Sequence, residues 1–361
     1  MLAVIRPDIA GLNRATCTVD EYGRVRRHKY GGTVPLGMKS TATAHPIQGL
    51  VKYHGMRDER LRMPYHDSIS VCTAPARTTT TAAFDDSLDE DRYVVDGDTV
   101  TGRGAERIRS VVEPVRERAD LDRPVRLESE NSFQTNVGLG SSASGFAAAA
   151  MALVEAAGLD LDRPTVSTIA RRGSASAARA VTGGFSDLAA GLNDTDCRSE
   201  RRDVPSAFED QLRVVVGLVP AYKETEEAHA EAADSHMFQA RLAHVHGQLA
   251  RMRDALSEAA FDRVFELAEQ DSLSLAATTM TGPAGWVYWQ PRSLEIFETV
   301  RDLRSSGIPV YFSVDTGASV YVNTTAEHVD SVEAAVADCG VETRVWGVGG
   351  PARTTESEAL F

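Results

Sequence analysis

Residues 131–145 read NSFQTNVGLGSSASG and run directly into FAAAAMALVEAAG (146–158). Glycines at 138 and 140 and serines at 141, 142 and 144 leave the backbone almost bare where an alanine-rich segment begins. The pattern predicts a helix from about Ser142 to Ala157, with Gly158 as its stop. A helix N-terminus leaves backbone N–H groups without partners and carries partial positive charge. It therefore receives a phosphate well, provided no bulky side chain blocks the approach. Gly138, Gly140, Ser141, Ser142 and Ser144 are the candidate phosphate-binding residues, and serine hydroxyls can add donors or help hold Mg²⁺. The stretch is not a Walker loop, which needs a lysine, nor a G-x-G-x-x-G dinucleotide loop with a downstream ribose acid. A tight helix–strand contact would ask for the same small residues, so the loop alone leaves both readings open.

Moving outward, ARRGSASAARAVTGGFSDL (170–188) groups Ser174, Ser176 and Arg179 beside the pair Gly183–Gly184. Two serines two positions apart on a loop can face one ligand, and arginine offers a planar fork to a carboxylate or phosphate. A helix cap followed by a surface arginine would look the same. Upstream lies HPIQGLVKYHGMRDERLRMPYHDSISVCT (45–73). It contains Lys52, one of four lysines (29, 39, 52 and 223) among 38 basic residues, which leaves 34 arginines. A lysine kept in so arginine-rich a chain marks a place for a compact ammonium, or survives by chance at the surface. Tyr53 beside it could add a hydroxyl.

The 361-residue chain carries a formal charge of −14 and is 42% hydrophobic. This suits a globular protein with a real core and room for two modest domains. Its acidity argues against nucleic acid and against an anionic membrane surface. Many carboxylates with few lysines suit a salt-rich cytoplasm, although a GC-rich genome produces the same lysine-to-arginine exchange. Cys17, Cys72, Cys197 and Cys339 are too scattered for a zinc or redox motif and read as reduced packing thiols. No apolar run reaches the ~18 residues of a membrane helix.

Residues 1–37 carry RVRRHKYGG without a clear period and read as an unfolded extension or a start placed too far upstream. From Met38 the pattern is mixed α and β. Strands are expected at 68–73, 77–81, 124–133, 211–219 and 342–348, and helices at 104–118, near 164–180, and at 326–338. Two or three helices fit the acidic stretch 224–270, and the tail from 351 should fray. IPVYFSVDTGASVYVNT (308–324) reads as two strands joined at Asp-Thr-Gly. The composition shift at 197–210 suggests a division into 38–205 and 206–361.

Taken together these stretches resemble the mevalonate diphosphate decarboxylase family of the GHMP kinase superfamily. That family carries segments close to VIKYWGKRDE…LP…DSISVT, NFPTAAGLASSASG, ARxGSGSAxRSxxGGF and YFxxDAGPN. Here they are LVKYHGMRDERLRMPYHDSISVCT, NSFQTNVGLGSSASG, ARRGSASAARAVTGGF and YFSVDTGAS (311–319), in the same order. The resemblance spans about Met38 to Gly350. It implies an α+β, GHMP kinase-type fold of two subdomains. The N-terminal part, the ATP-binding half, would be like the second domain of ribosomal protein S5, and the C-terminal part ferredoxin-like, with the site in the cleft between them. By matched position it implies Asp315, Lys52 and Arg179 as catalytic residues. Tyr53, Ser174, Ser176 and Arg179 would bind substrate, and Gly138 to Ser144 the ATP phosphates. ATP is then a co-substrate, with Mg²⁺ held mainly by its phosphates. The other partner is a small phosphorylated hydroxy acid, and the enzyme is expected to be a cytoplasmic homodimer.

The departures carry information. His54 and Met56 stand where the family has tryptophan and lysine, and DTGAS stands for DAGPN. Losing a cation at Met56 suits a substrate with one phosphate rather than two. A branch of the family in salt-storing archaea converts mevalonate 5-phosphate to isopentenyl phosphate, and the composition points the same way. The resemblance therefore implies ATP-dependent decarboxylation of mevalonate 5-phosphate. The diphosphate reaction, a mevalonate kinase that does not decarboxylate, and a non-catalytic binding protein are the alternatives.

Overall fold

The structure, a computed structural model, describes residues 39–135, 138–221 and 231–361, together with the backbone of 17–19 and 25–27. In the unit Met1–Leu36, β1 (Cys17–Val19) and β2 (Val25–Arg27) pair as an antiparallel ribbon. The rest of the expectation for residues 1–37 lies outside the described residues.

The unit Gly37–Phe361 is built on two sheets. The first takes β3 (Lys39–Ala44), β8 (Thr78–Phe84), β9 (Arg92–Val95), β10 (Asp98–Thr99), β11 (Val125–Asn131) and β18 (Arg353–Thr355) in the order β10-β9-β11-β8-β3-β18. β8 is a run of threonines and alanines, β-branched or small, that fits between β3 and β11 in antiparallel register. On it pack α1 (Gly102–Ala119), α2 (Ser141–Ala156) and α3 (Arg163–Gly173). α1 turns Ile108, Val111, Val112 and Val115 inward at three- and four-residue spacing. α2 buries alanines on every side, so sheet and helices approach it closely. Gly158, at φ +65, ends that turn of chain as expected.

The second sheet contains β4 (Ile47–Val51), β7 (Ser68–Ala74), β12 (Phe185–Leu188), β13 (Ser199–Arg201), β14 (Leu212–Leu218), β15 (Val310–Ser313), β16 (Val320–Thr325) and β17 (Glu342–Val348). Its order is β13-β12-β7-β17-β14-β16-β15, with β4 also paired to β7. The expected boundary at 205/206 falls between β13 and β14, and strands from both sides meet here through the β7–β17 pair. α6 (Phe238–Ser257) and α7 (Phe261–Met280) bury Val245, Leu249, Met252, Val264 and Phe265 in one core. α8 (Pro291–Ser305) and α9 (Val329–Asp338) complete another with β15 and β16.

Three expectations need correction. The helix near 164–180 is two helices, α3 and α4 (Ala175–Thr182), with Ser174 extended between them at φ −158 and ψ 127. The end of α3 lies tight against α2: a Cβ on Gly173 would sit 2.2 Å from the Phe146 ring, so only glycine fits there. The acidic stretch supplies α6 and α7, but α7 runs past 270 to Met280, and residues 222–230 lie outside the described residues. The tail does not fray. β18 pairs with β3, the Leu360 N–H donates to Thr81 Oγ1 at 3.0 Å, and the Phe361 ring lies 3.9 Å beneath the Arg126 guanidinium.

Gly183 closes α4 at φ +71, and a Cβ there would lie 2.2 Å from the Pro351 nitrogen. Gly183→Ala combines a left-handed backbone with a backbone clash. It should cost about 2–5 kcal/mol of stability, measured by chemical denaturation. An unchanged midpoint would contradict the packing described.

Candidate active site

Four chain segments meet around a cleft of about 710 Å³. The loop before α2 contributes Gly138, Gly140, Ser141 and Ser142. The α3–α4 junction contributes Ser174, Ser176 and Arg179, the segment after β4 contributes Lys52 and Tyr53, and the β15–β16 hairpin contributes Asp315 and Thr316. Glycine is required where these segments touch. Gly138 (φ +89) and Gly140 (φ +74) hold left-handed turns, and a Cβ on Gly317 would lie 3.3 Å from the Gly138 Cα. The glycine loop thus rests backbone to backbone on the turn that carries Asp315. Tyr321, from β16, donates its hydroxyl to the Gly138 carbonyl at 3.3 Å and fixes the same approach. Burial, with Asp315 nearby, pushes the Tyr321 phenol well above its usual range, so it stays a donor.

Lys52 is almost fully buried. Its Nζ donates to Ser272 Oγ at 3.0 Å and Ser313 Oγ at 3.1 Å, and lies 3.9 Å from Asp271 Oδ2. Its backbone N–H donates to Asp271 Oδ2 at 2.8 Å, and Arg241 donates to its carbonyl at 2.7 Å. Asp271 is fully buried and also pairs with Arg241 at 3.2 Å. Burial pulls the Lys52 ammonium pKa down, while Asp271 and then Asp315 pull it back up. Gly49 makes the geometry possible. A Cβ there would lie 2.7 Å from Lys52 Cγ and 2.9 Å from Asp315 Oδ1. Lysine and aspartate therefore converge across a residue that can carry no side chain.

Arg179 is likewise buried. Its Nε donates to Ser70 Oγ at 2.9 Å and its Nη1 to Ser68 Oγ, both from β7. The guanidinium sits 5.5 Å over the Tyr53 ring, and Tyr53 Oη and Ser176 Oγ share a hydrogen bond of 3.3 Å. Burial lowers its pKa, and Tyr53 and Asp315 oppose that shift. The result is a cation fixed by uncharged hydroxyls, whose charge is left for a ligand.

Of the residues singled out in the sequence, Ser144 is the one set apart. It is fully buried, shares a 2.6 Å hydrogen bond with Thr78 Oγ1, donates to the Ser141 carbonyl, and does not line the cleft. As the fourth residue of α2 it points back to the sheet. Met56 does not line the cleft either. It packs against the apolar group of Met63, Ala175, Ala178, Leu188 and Cys197, beside α4. Lys223 lies outside the described residues. The structure adds residues the sequence did not reveal: Asp271, Ser272 and Ser313 around Lys52, Ser68 and Ser70 around Arg179, and Arg62 and Arg107 in the cleft wall. DSISV contained two of these serines, but nothing in it tied them to an arginine more than a hundred residues away. Among the described residues no group of three or more His, Cys, Asp or Glu could hold a metal ion.

The geometry sets an anion-receiving helix start against a carboxylate and two buried cations. Comparison with known proteins adds the following. The family model described as the diphosphomevalonate decarboxylase-like N-terminal domain matches residues 44–199. That of the mevalonate 5-diphosphate decarboxylase C-terminal domain matches residues 223–346. A phosphomevalonate decarboxylase of Haloferax volcanii is 72% identical, over 90% of this chain and 100% of its own length. A mevalonate diphosphate decarboxylase structure from Staphylococcus aureus is 27% identical, covers 90% of this chain and 100% of its own, and has a TM-score of 0.84. A structure described as MDDEF in complex with MVAPP, AMPPCP and magnesium is 28% identical, covers 89% and 100%, and also has a TM-score of 0.84.

Behind the site, His66 is buried with Nδ1 donating to the Asp67 carbonyl at 2.7 Å, near Arg241 and Asp271. Burial is the main cause that lowers its pKa to about 4. The unfolded chain, with a histidine pKa of about 6.5, takes up a proton that the folded protein refuses. The contribution of this residue to stability is complete above pH 6.5 and is lost as pH falls from 6.5 to about 4. The loss is on the order of 3 kcal/mol. His66→Asn should flatten this part of the stability–pH curve relative to the parent. Identical slopes for the two proteins between pH 6.5 and 4 would refute the assignment.

Proposed function

The chain belongs to the diphosphomevalonate decarboxylase-like family, and we propose that it catalyses ATP-dependent decarboxylation of mevalonate 5-phosphate to isopentenyl phosphate, ADP, phosphate and CO₂. The observation that carries this reading is the 72% identity, across its whole length, to the phosphomevalonate decarboxylase of Haloferax volcanii. The site arrangement is compatible with the chemistry. A tertiary hydroxyl leaves poorly. Transfer of the ATP γ-phosphoryl group makes it a phosphate ester. Departure of that phosphate draws the electron pair of the C–CO₂⁻ bond into the new double bond, and CO₂ is released.

In this reading Asp315 accepts or orients the proton of the tertiary hydroxyl. Lys52, held beside it across Gly49, and Arg179, held by Ser68 and Ser70, neutralise charge on the carboxylate and on the departing phosphate. Tyr53, Ser174 and Ser176 line the substrate's path along α4. Gly138, Gly140, Ser141 and Ser142 receive the nucleotide's phosphates through backbone N–H groups and hydroxyls. These donors suit phosphate oxygens, and Mg²⁺, which binds through substrate phosphates and few protein ligands, would be held mainly by the nucleotide with a serine hydroxyl at most. Residues 38–205 form the nucleotide-binding part and 206–361 the second. Buried, unpaired cysteines at 72, 197 and 339 and the acidic, lysine-poor composition favour a reducing, salt-rich cytoplasm. A homodimer is the expected assembly, and no described helix is long and apolar enough to cross a membrane.

ATP-dependent CO₂ release, measured side by side with mevalonate 5-phosphate and mevalonate 5-diphosphate, tests the reading. The monophosphate should be favoured in kcat/KM by about tenfold or more, the weight of one lost charge interaction. A preference for the diphosphate would overturn it. Asp315→Asn should lower kcat by about 10²- to 10⁴-fold with little change in KM. Full activity in that variant would remove Asp315 from the chemistry.

A further inference from the structure

The loop between α7 and α8, residues 281–290, carries three aromatic residues that take no part in the steps assigned to the cleft. It is fixed at both ends. Thr281 shares a 2.7 Å hydrogen bond with Ser235, and the Ala284 N–H donates to Glu231 Oε2 at 3.2 Å. Trp289 sets its ring edge-on to Phe297 at 5.2 Å, and Phe297 stacks on Phe312 of β15. Gly285 turns the chain at φ +61 between these anchors. Trp286 and Tyr288 then lie parallel, with ring centroids 6.2 Å and planes 7° apart, while Val287 between them is exposed. The pair lines a second, smaller cavity beside the cleft. Ser272, Leu275, Asp315 and Thr316 line it too, and the last three of these face both spaces. The cavity measures about 10 Å³, the room that one water needs. The Trp286 indole N–H is buried and has no acceptor among the described residues. A buried donor left alone is destabilising, so a native protein that keeps one gives it something to bind.

We propose that this cavity holds one ordered water, which accepts from the Trp286 indole N–H and donates to the carboxylate of Asp315, so that Trp286 is a positioning residue for Asp315. The inference rests on the reading that Asp315 accepts or orients the proton of the substrate's tertiary hydroxyl. Size and chemistry both select water. The space takes a single small molecule, and its wall offers a donor in the indole and acceptors in the carboxylate and the Thr316 hydroxyl. Water can accept from the first and donate to the others. The indole donates and cannot accept, so it exchanges no proton with Asp315 and only orients the water. A hydrogen bond donated to the carboxylate favours its ionised form, which is the form that can take a proton. Among the described residues, the charged and titratable groups that face Asp315 from other elements are Lys52 after β4, Arg179 on α4 and Tyr321 on β16, with Tyr288 across the small cavity. Lys52 and Arg179 favour the same ionised form, but neither lines the small cavity. The water therefore serves the side of the carboxylate that the cations leave to Trp286.

The test is steady-state kinetics of the full chain across pH with mevalonate 5-phosphate and ATP, together with thermal melting and NMR of the ¹⁵N-labelled indoles. Trp286→Phe keeps a ring to stack on Tyr288 and removes the N–H. It should lower kcat by about three- to tenfold and leave both KM values within about twofold. The acid limb of its pH–kcat profile should move to higher pH by about half a unit or more, because a carboxylate that loses a hydrogen bond is protonated more easily. The indole signal that disappears in Trp286→Phe should shift in Asp315→Asn, where the water meets a different partner. A Trp286→Phe profile that superimposes on the parent's, or an indole signal unmoved by Asp315→Asn, would overturn the inference and leave the decarboxylase reading intact. A loss confined to melting temperature, with kinetics preserved, would also overturn it and mark Trp286 as packing alone. A parent enzyme that does not turn over mevalonate 5-phosphate would overturn the decarboxylase reading, and the indole signal would still decide for or against the water.

Discussion

A carboxylate with no access to water sets the position of Lys52. Asp271 takes the Lys52 backbone N–H, lies within ion-pair distance of its ammonium and pairs with Arg241, which in turn takes the Lys52 carbonyl. Two cations and one anion buried together cost a great deal unless every donor is placed, and leaving any one of them alone would cost more. Helix α7, which supplies Asp271 and Ser272, is therefore tied to the segment after β4. Ser272 and Ser313 add the β15–β16 hairpin to the same knot. Asp315 follows two residues after Ser313, so its place beside Lys52 follows from the ion cluster beneath it.

The other half of the site depends on what is missing. Gly49 and Gly317 each stand where a methyl group would crowd a second segment of the site, and Gly138 holds a left-handed turn. Gly173 leaves room for the Phe146 ring of α2. Side-chain-free contacts explain how a glycine–serine loop, a carboxylate turn and a lysine segment from distant parts of the chain share one cleft. Lys52 and Arg179 are then fixed by hydroxyls and one carboxylate, the kind of preorganisation that phosphoryl transfer and loss of an anionic leaving group require.

Much of this was legible in the sequence because it lies in short, contiguous patterns. The helix start at Ser141, the hairpin around Asp315 and the buried strand at 212–218 each announce themselves within a dozen residues. Lys52 stood out only because lysine is so rare here. Asp271 was invisible for the opposite reason, being one acid among many on a helix whose apolar spacing signals packing alone. The glycine at 173 answers to Phe146, and the docked tail to Phe361 beneath Arg126. Ser144 looked like the other serines of its loop, yet one helical turn aims it at Thr78 instead. Local sequence specifies element and cap; it does not say which side chain from another element fills a given space.

The central claim is that one cleft brings the ATP phosphates to a tertiary hydroxyl beside Asp315, and that this hydroxyl leaves as phosphate. Mevalonate 5-phosphate labelled with ¹⁸O in the tertiary hydroxyl tests it directly. After turnover, the released inorganic phosphate should carry one ¹⁸O atom per molecule. Label recovered in water, with unlabelled phosphate, would contradict phosphorylation of the hydroxyl and with it the assignment of the site.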